Sequence, residues 1–239
     1  MKVGAKIASG KTKNIYELDD PSLVLIEFRD DVTALDGRKR DFIAGKGAIN
    51  AAITAKLMEV LNTSQTPTHF VKLEPPSAII AKRLRMLPLE VVCRNIAAGH
   101  LVKRLPFKEG DLLDPPIVEF YLKDDERGDP MVNKRHMAAL GLATPSEAEY
   151  MEEATLKANE VLKRFLAYRE LTLIDFKLEF GKLPNGSLII GDELDPDCMR
   201  IRDSSTGRIL DKDLYRRGSP LEEVLKAYLE CKRRIVEGG

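Results

Sequence analysis

In the stretch "LIDFKLEFG", Leu173 to Gly181, charged residues recur at every second position: Asp175, Lys177 and Glu179. Successive side chains of a β-strand point to opposite faces, so Leu173, Asp175, Lys177, Glu179 and Gly181 share one face, while Ile174, Phe176, Leu178 and Phe180 share the other. The second face belongs to a core. The first carries acid, base, acid. Downstream, "KLPNGSLIIGDELDPD" sets Asn-Gly between two apolar runs, a strong hairpin signal because both residues of such a turn tolerate positive φ. With Asn185 and Gly186 as a two-residue turn, Pro184 faces Ser187, Gly181 faces Ile190 and Glu179 faces Asp192. Directly opposed side chains have Cβ atoms about 4.5–5.5 Å apart, where like charges repel. A cation removes that repulsion. Mg²⁺ typically takes one or two protein carboxylates and completes its octahedron with water and phosphate oxygens. On this reading Glu179 and Asp192 hold the metal, Lys177 reaches a phosphate or developing oxyanion, and Asp175 orients a nucleophile or takes a proton. The competing reading is an exposed amphipathic strand whose charged face meets water.

Other anion-binding features are weaker. "SGKTK" lacks the Gly-x₄-Gly-Lys spacing of a P-loop, because Ala5 stands where the first glycine is needed, and "NIYELDD" after it reads as strand rather than helix. It fits a glycine-containing turn whose amides, with Lys11 and Lys13, lie over phosphates; a routine basic turn is the alternative. In "LPLEVVCRNIAAGH", Glu90, Val92 and Arg94 share a strand face that leads through small residues towards a helix, and Arg94 beside a helix start can bind an anion. Upstream, "AKRLRMLP" can pass an adenine edge, with Lys82 reaching phosphates. His69, His100 and His136 lack metal-ligand spacing and read as surface or hydrogen-bonding residues.

The elements that position these residues follow from periodicity. "KNIYEL", "SLVLIEF", "HFVKL", "SAIIAKRL" and "LEVVCRN" are short strands. Ile49, Ile53, Leu57 and Leu61 recur at helical spacing in "GKGAINAAITAKLMEVLN". "TPSE" predicts a capping box with Thr144 at the N-cap, Pro145 in the first turn and Glu147 three residues on, opening a helix to about Tyr168. "SPLE", Ser219 to Glu222, predicts a second box before a terminal helix. The chain therefore reads as α+β, with a β-rich lobe over residues 1–88 and a larger mixed lobe over 89–239.

Lys plus Arg and Asp plus Glu each number 38, so net charge gives no argument for a nucleic-acid or membrane partner. No apolar run approaches the ~18 residues of a membrane helix, and the start shows no signal sequence, which predicts a soluble, cytoplasmic protein. Cys93, Cys198 and Cys231 are odd in number and widely spaced, which predicts free thiols.

Together, "GKTKNIYEL", "DDVTALDG", "GKGAIN", "MLPLEVVCRNIAAGHLVKRL", "DPMVN", "LTLIDFKLEFG" and "GDELDPDCMR" resemble one family, the SAICAR synthetases (phosphoribosylaminoimidazole-succinocarboxamide synthases), in the family's order over residues 10–200. The resemblance implies a two-lobed ATP-binding fold related to protein kinases and ATP-grasp enzymes. It implies a Mg²⁺-requiring ligase of de novo purine synthesis that joins L-aspartate to carboxyaminoimidazole ribonucleotide (CAIR) and releases ADP and phosphate, in an enzyme that is usually a homo-oligomer. By position it assigns Lys11 and Lys13 to a phosphate-covering loop, Lys82 and Met86 to the ATP pocket and its hinge, and Glu179 and Asp192 to the metal. It places Arg94, Lys177 and Arg200 against the ribonucleotide or the transferred phosphoryl group, and Asp175 beside the reacting carboxylate. Asp36 and Lys46 fall in matching segments without a firm role, although Asp36 is a substrate-binding candidate. His100 replaces a common serine that bears on the substrate phosphate, Lys134 replaces a common glutamate, and Cys198 and Met199 replace a small polar pair. A small-molecule kinase on a related fold and a non-catalytic ATP-binding sensor are the rival readings.

Overall fold

The computed structural model describes residues 1–34 and 38–238. Its first part contributes β1 (Val3–Ser9), β2 (Lys13–Leu18), β3 (Leu23–Phe28), a hairpin of β4 (Asp31–Ala34) and β5 (Lys39–Phe42), α1 (Lys46–Thr63), β6 (Phe70–Glu74) and β7 (Ala78–Lys82). Then follow β8 (Arg85–Ile96), α2 (His100–Arg104), β9 (Leu112–Leu122), β10 (Met131–Val132), α3 (Lys134–Ala139), α4 (Pro145–Ala167) and β11 (Leu171–Lys182). The chain closes with β12 (Leu188–Gly191), β13 (Met199–Asp203), α5 (Asp213–Arg216) and α6 (Leu221–Lys232). One sheet runs β1-β2-β3-β7-β6, and a second runs β10-β9-β8-β11-β12, with β13 on the other half of β11. The change from one sheet to the other falls at Arg83 and Leu84, and residue 88 lies inside β8.

Helix α1 lies between the sheets. Ile49, Ile53, Leu57, Met58 and Leu61 pack into the large core, while Ala51 and Ala55 pack into the smaller core with Val24, Ile26 and Ile79. Small residues on that side let the first sheet approach closely; a Cβ on Gly47 would stand 2.4 Å from the Phe28 carbonyl oxygen. The Thr144 box forms as expected: the Thr144 hydroxyl accepts from the Glu147 amide and the Glu147 carboxylate accepts from the Thr144 amide, at the start of α4. The expected box before α6 does not form. Pro220 itself is the N-cap, so the helix begins one residue later than the motif requires and no side chain caps it.

Strand β11 is the spine of the second sheet, with Phe176, Leu178 and Phe180 in the core. The register of its hairpin with β12 corrects the expectation: Glu179 pairs with Gly191, not Asp192, and Gly181 with Ile189. Proline explains the slip. Pro184 has φ fixed near −65°, which suits the first central position of a type I turn and directs a three-residue loop, Pro184-Asn185-Gly186, rather than a two-residue one. The Gly186 amide donates to the Leu183 carbonyl at 2.9 Å, the Leu183 amide donates to the Ser187 carbonyl at 2.9 Å, and Gly186 takes φ 86°. Asp192 then leaves the ladder with φ 64°.

Candidate active site

The polar face of the second sheet is built in lateral rows. Arg94, Asp175 and Arg200 face one another across β8, β11 and β13. Lys177 lies beside Val92, which faces Glu119, and Glu179 lies beside Glu90, which faces Tyr121. Alternation on four strands, β8, β9, β11 and β13, thus collects seven charged side chains on one surface, Glu90, Arg94, Glu119, Asp175, Lys177, Glu179 and Arg200, and their bonding divides them into two ends.

At one end sits a ladder of arginines and acids. Arg94 donates to Glu119 at 2.7 Å and to Asp175 at 2.9 Å, and Arg200 donates to the same Asp175 oxygen at 2.7 Å. Glu119 also accepts from Tyr121 at 2.8 Å and from Arg104 of α2 at 2.5 Å, while Asp213 of α5 accepts from Arg200 Nε at 3.0 Å. Burial disfavours the Glu119 charge, but the Arg94 guanidinium outweighs it and holds the carboxyl below its ordinary range. Gly99 has no Cβ where the Arg200 guanidinium rests; one there would stand 2.5 Å from Nη2. His100 opens α2 next to it and is exposed.

At the other end one ammonium bridges the two predicted metal ligands. Lys177 Nζ lies 2.8 Å from Glu179, 3.3 Å from Asp192 and 3.2 Å from Glu90. Lys123 donates to the second Glu179 oxygen at 2.6 Å, and Lys13, arriving from the first sheet, pairs with Asp192 and lies 3.0 Å from Glu193. Burial works against the Lys177 charge, yet Asp192 and Glu179 outweigh it and hold its pKa well above the ordinary value. Burial and the neighbouring Asp192 charge push Glu179 upward. Asp192 is held well below its range because Lys13 and Lys177 outweigh its burial.

This donor set fits Mg²⁺. Both carboxylates already flank a cation, all their donors are hard oxygens, and two protein carboxylates leave the remaining positions to phosphate and water. Among the described residues no group of three or more His, Cys, Asp and Glu forms a protein-only cage.

Other predicted residues are placed less centrally. Lys11, in the β1–β2 turn, pairs with exposed Asp125 at 3.0 Å. Lys82 ends β7, and Met86 lies in β8 against Gly181 and Gly191, where added Cβ atoms would meet its sulfur at 2.9 and 3.2 Å. Asp36 lies outside the described residues. His136 is exposed and caps α3 with Asn133, whereas His69 is buried and bonded to the Asp192 backbone, the hydrogen-bonding alternative of the expectation rather than the surface one. Cys93, Cys198 and Cys231 are free.

The sequence model of one protein family, SAICAR synthetase, matches residues 6–235. The chain belongs to the SAICAR synthetase family. A phosphoribosylaminoimidazole-succinocarboxamide synthase of Sulfurisphaera tokodaii is 53% identical, over 97% of this chain and 98% of its own length. Among solved structures, a SAICAR synthetase in complex with ADP superposes with TM-score 0.91 at 42% identity, covering 99% of this chain and 98% of its own. The phosphoribosylaminoimidazole-succinocarboxamide synthase of Ehrlichia chaffeensis superposes with TM-score 0.93 at 36% identity, covering 98% and 99%.

Several residues of this candidate site in a SAICAR synthetase family chain escaped sequence reasoning. Glu119, Tyr121 and Lys123 alternate with Val118, Phe120 and Leu122 in "IVEFYLKDD", the same period that exposed β11, so a signal was present. Asp197 carried no local signal for its partners. Its carboxylate takes Lys46 at 2.5 Å and Asn50 at 3.1 Å on one oxygen and Tyr228 at 2.6 Å on the other, all buried behind the "DELDPD" loop.

Proposed function

We infer that the chain catalyses the ATP-dependent joining of L-aspartate, through its amine, to the carboxylate of CAIR, giving SAICAR, ADP and phosphate. The observation that carries this is the Lys177 ammonium held between Glu179 and Asp192, with Lys13 reaching Asp192 from the opposite sheet. A cation site at a junction of two sheets suits a polyphosphate gripped from both sides.

A carboxylate is a poor electrophile, so activation precedes amide formation: the CAIR carboxylate attacks the γ-phosphorus, ADP leaves, and the aspartate amine displaces phosphate from the acyl phosphate. Glu179 and Asp192 would hold Mg²⁺, which when bound neutralises charge on the phosphate oxygens. The chain up to the sheet change at Arg83 and Leu84, four residues short of the expected boundary at 88, forms the covering lobe, with Lys11 and Lys13 over the phosphates and Lys82, with Met86 just beyond it, along the nucleotide; the second sheet carries the acceptor. With phosphate oxygens as alternative partners for Lys13 and Lys177, Glu179 and Asp192 would be free to hold the metal, and the two ammonium groups would stabilise the transferring group. Arg94, Arg200 and His100 bind the ribonucleotide. Asp175 acts mainly by holding both guanidinium groups, because its Oδ2 accepts from each. The enzyme works in the cytoplasm as a homo-oligomer; among the described residues no helix is long and apolar enough to cross a membrane.

Gly99→Ala tests the acceptor side. Its Cβ would displace the Arg200 guanidinium, and Gly99 already sits at φ 61°, where alanine is strained. The expected result is a rise in KM for CAIR and a fall in kcat, together about 10²-fold, with the KM for ATP little changed. Steady-state kinetics with each substrate varied will show it. For the reaction itself, mass spectrometry of an incubation with ATP, Mg²⁺, CAIR and aspartate should reveal the succinocarboxamide product. A phosphorylated small molecule formed without aspartate would mark a kinase instead.

A further inference from the structure

We infer that Asp213 is a positioning residue for the acceptor half of the reaction, holding the Arg200 guanidinium at the angle from which its Nη2 edge meets the ribonucleotide. The inference rests on the reading that Arg200 binds CAIR. A guanidinium is planar, so fixing two of its three nitrogens fixes where the third points. Arg200 Nη1 donates to Asp175 Oδ2 at 2.7 Å, and Nε lies 3.2 and 3.0 Å from the two Asp213 oxygens. Nη2 then lies against Gly99, at the start of α2. Asp175 is shared with Arg94, so Asp213 is the anchor that Arg200 does not share with it.

Asp213 is itself built into place. The fully buried Asp211 accepts from the Asp213 amide on Oδ1 at 2.7 Å and from the Ile201 amide of β13 on Oδ2 at 2.8 Å, which pins the start of α5 to the strand that carries Arg200. Two residues on, Tyr215 is fully buried; its hydroxyl donates to Asp41 at 2.8 Å and Lys39 donates to its carbonyl at 2.9 Å, tying α5 to β5 as well. The Asp213 carboxylate gathers two further arginines, Arg216 on Oδ1 at 2.7 Å and Arg202 on Oδ2 at 3.1 Å. Both oxygens therefore face N–H donors. An amide in their place would turn its NH₂ group towards one of those guanidinium groups whichever way it faced, so asparagine keeps the shape and loses the hold. A residue that served only the fold would cost stability on replacement and leave the use of each substrate alone.

Steady-state kinetics, with CAIR and ATP each varied while the other substrates and Mg²⁺ saturate, tests this in a double-mutant cycle of Asp213 and Arg200. Asp213→Asn should lower kcat/KM for CAIR about 30-fold, mostly through KM, with the KM for ATP within about twofold of the parent. Arg200→Lys, which keeps the charge but has no fork to orient, should lose about 10²-fold on the same constant. With Arg200→Lys in place, adding Asp213→Asn should cost no more than about threefold, because no guanidinium remains to be held. Should Asp213→Asn fail to fold, Asp213→Glu, which keeps the charge and moves the oxygens, takes its place in the cycle with the same expectation. Losses that multiply in the double variant, an equal rise in the KM for ATP, or a lowered unfolding temperature with an unchanged KM for CAIR would overturn the inference. An unchanged KM for CAIR in Arg200→Lys would overturn the reading that Arg200 binds CAIR, and this inference with it.

Discussion

Glu179→Gln is expected to lower kcat/KM for Mg-ATP by about 10³-fold, roughly 4 kcal/mol of transition-state stabilisation, while leaving the unfolding temperature within a few degrees of the parent. The amide keeps the shape of the side chain and removes its charge. The fold tolerates the change because Lys123, which loses its ionic partner, is 42% exposed and can turn to water, and Lys177 retains Glu90 and Asp192. The site does not tolerate it. A single remaining carboxylate opposite the polyphosphate holds a hard divalent cation far less well than two. Titration of Mn²⁺ followed by electron paramagnetic resonance in the presence of ADP gives a readout independent of turnover, and should show weakened metal binding. Turnover within tenfold of the parent would remove Glu179 from the metal.

Lys46→Met should be the most destabilising substitution near the site, costing about 3–5 kcal/mol. Lys46 is 1% exposed and pairs with Asp197 at 2.5 Å. Methionine fills the space but leaves a buried carboxylate with Asn50, Tyr228 and a distant Lys212, 3.9 Å away. The pH dependence carries the signature. In the parent, burial opposes the Asp197 charge, but Lys46 outweighs it and depresses the folded-state pKa, so this contribution to stability is present above the unfolded carboxyl pKa of about 3.9 and fades as pH falls below it. Without Lys46 the folded pKa rises above the unfolded value, and stability is then lost as pH rises through that range. The difference between parent and variant in urea unfolding should therefore be largest at pH 7 and shrink towards pH 4. A constant difference across that range would assign the loss to packing rather than to the ion pair.

The sequence made legible what depends on short spacing. Period-two alternation exposed Asp175, Lys177 and Glu179 on one face of β11, and the Thr144–Glu147 box marked the start of α4. Turn chemistry was the weak point: Asn-Gly suggested a two-residue loop, but Pro184 directs a longer one and moves the register by a residue. The carboxylates still meet because Asp192 leaves the ladder in a left-handed conformation, a feature that no local pattern encodes. Contacts such as Lys13 with Asp192 and Lys46 with Asp197 join segments more than a hundred residues apart, so they follow from packing of the two sheets around α1 and not from any motif.

The most direct test of the proposed chemistry follows the carboxylate oxygens. CAIR labelled with ¹⁸O in both carboxylate positions, incubated with ATP, Mg²⁺ and L-aspartate, should deliver one ¹⁸O to the released phosphate and keep one in the new amide. Unlabelled phosphate, with both heavy atoms still on the imidazole carboxylate, would contradict activation by phosphoryl transfer and the ligase account built upon it.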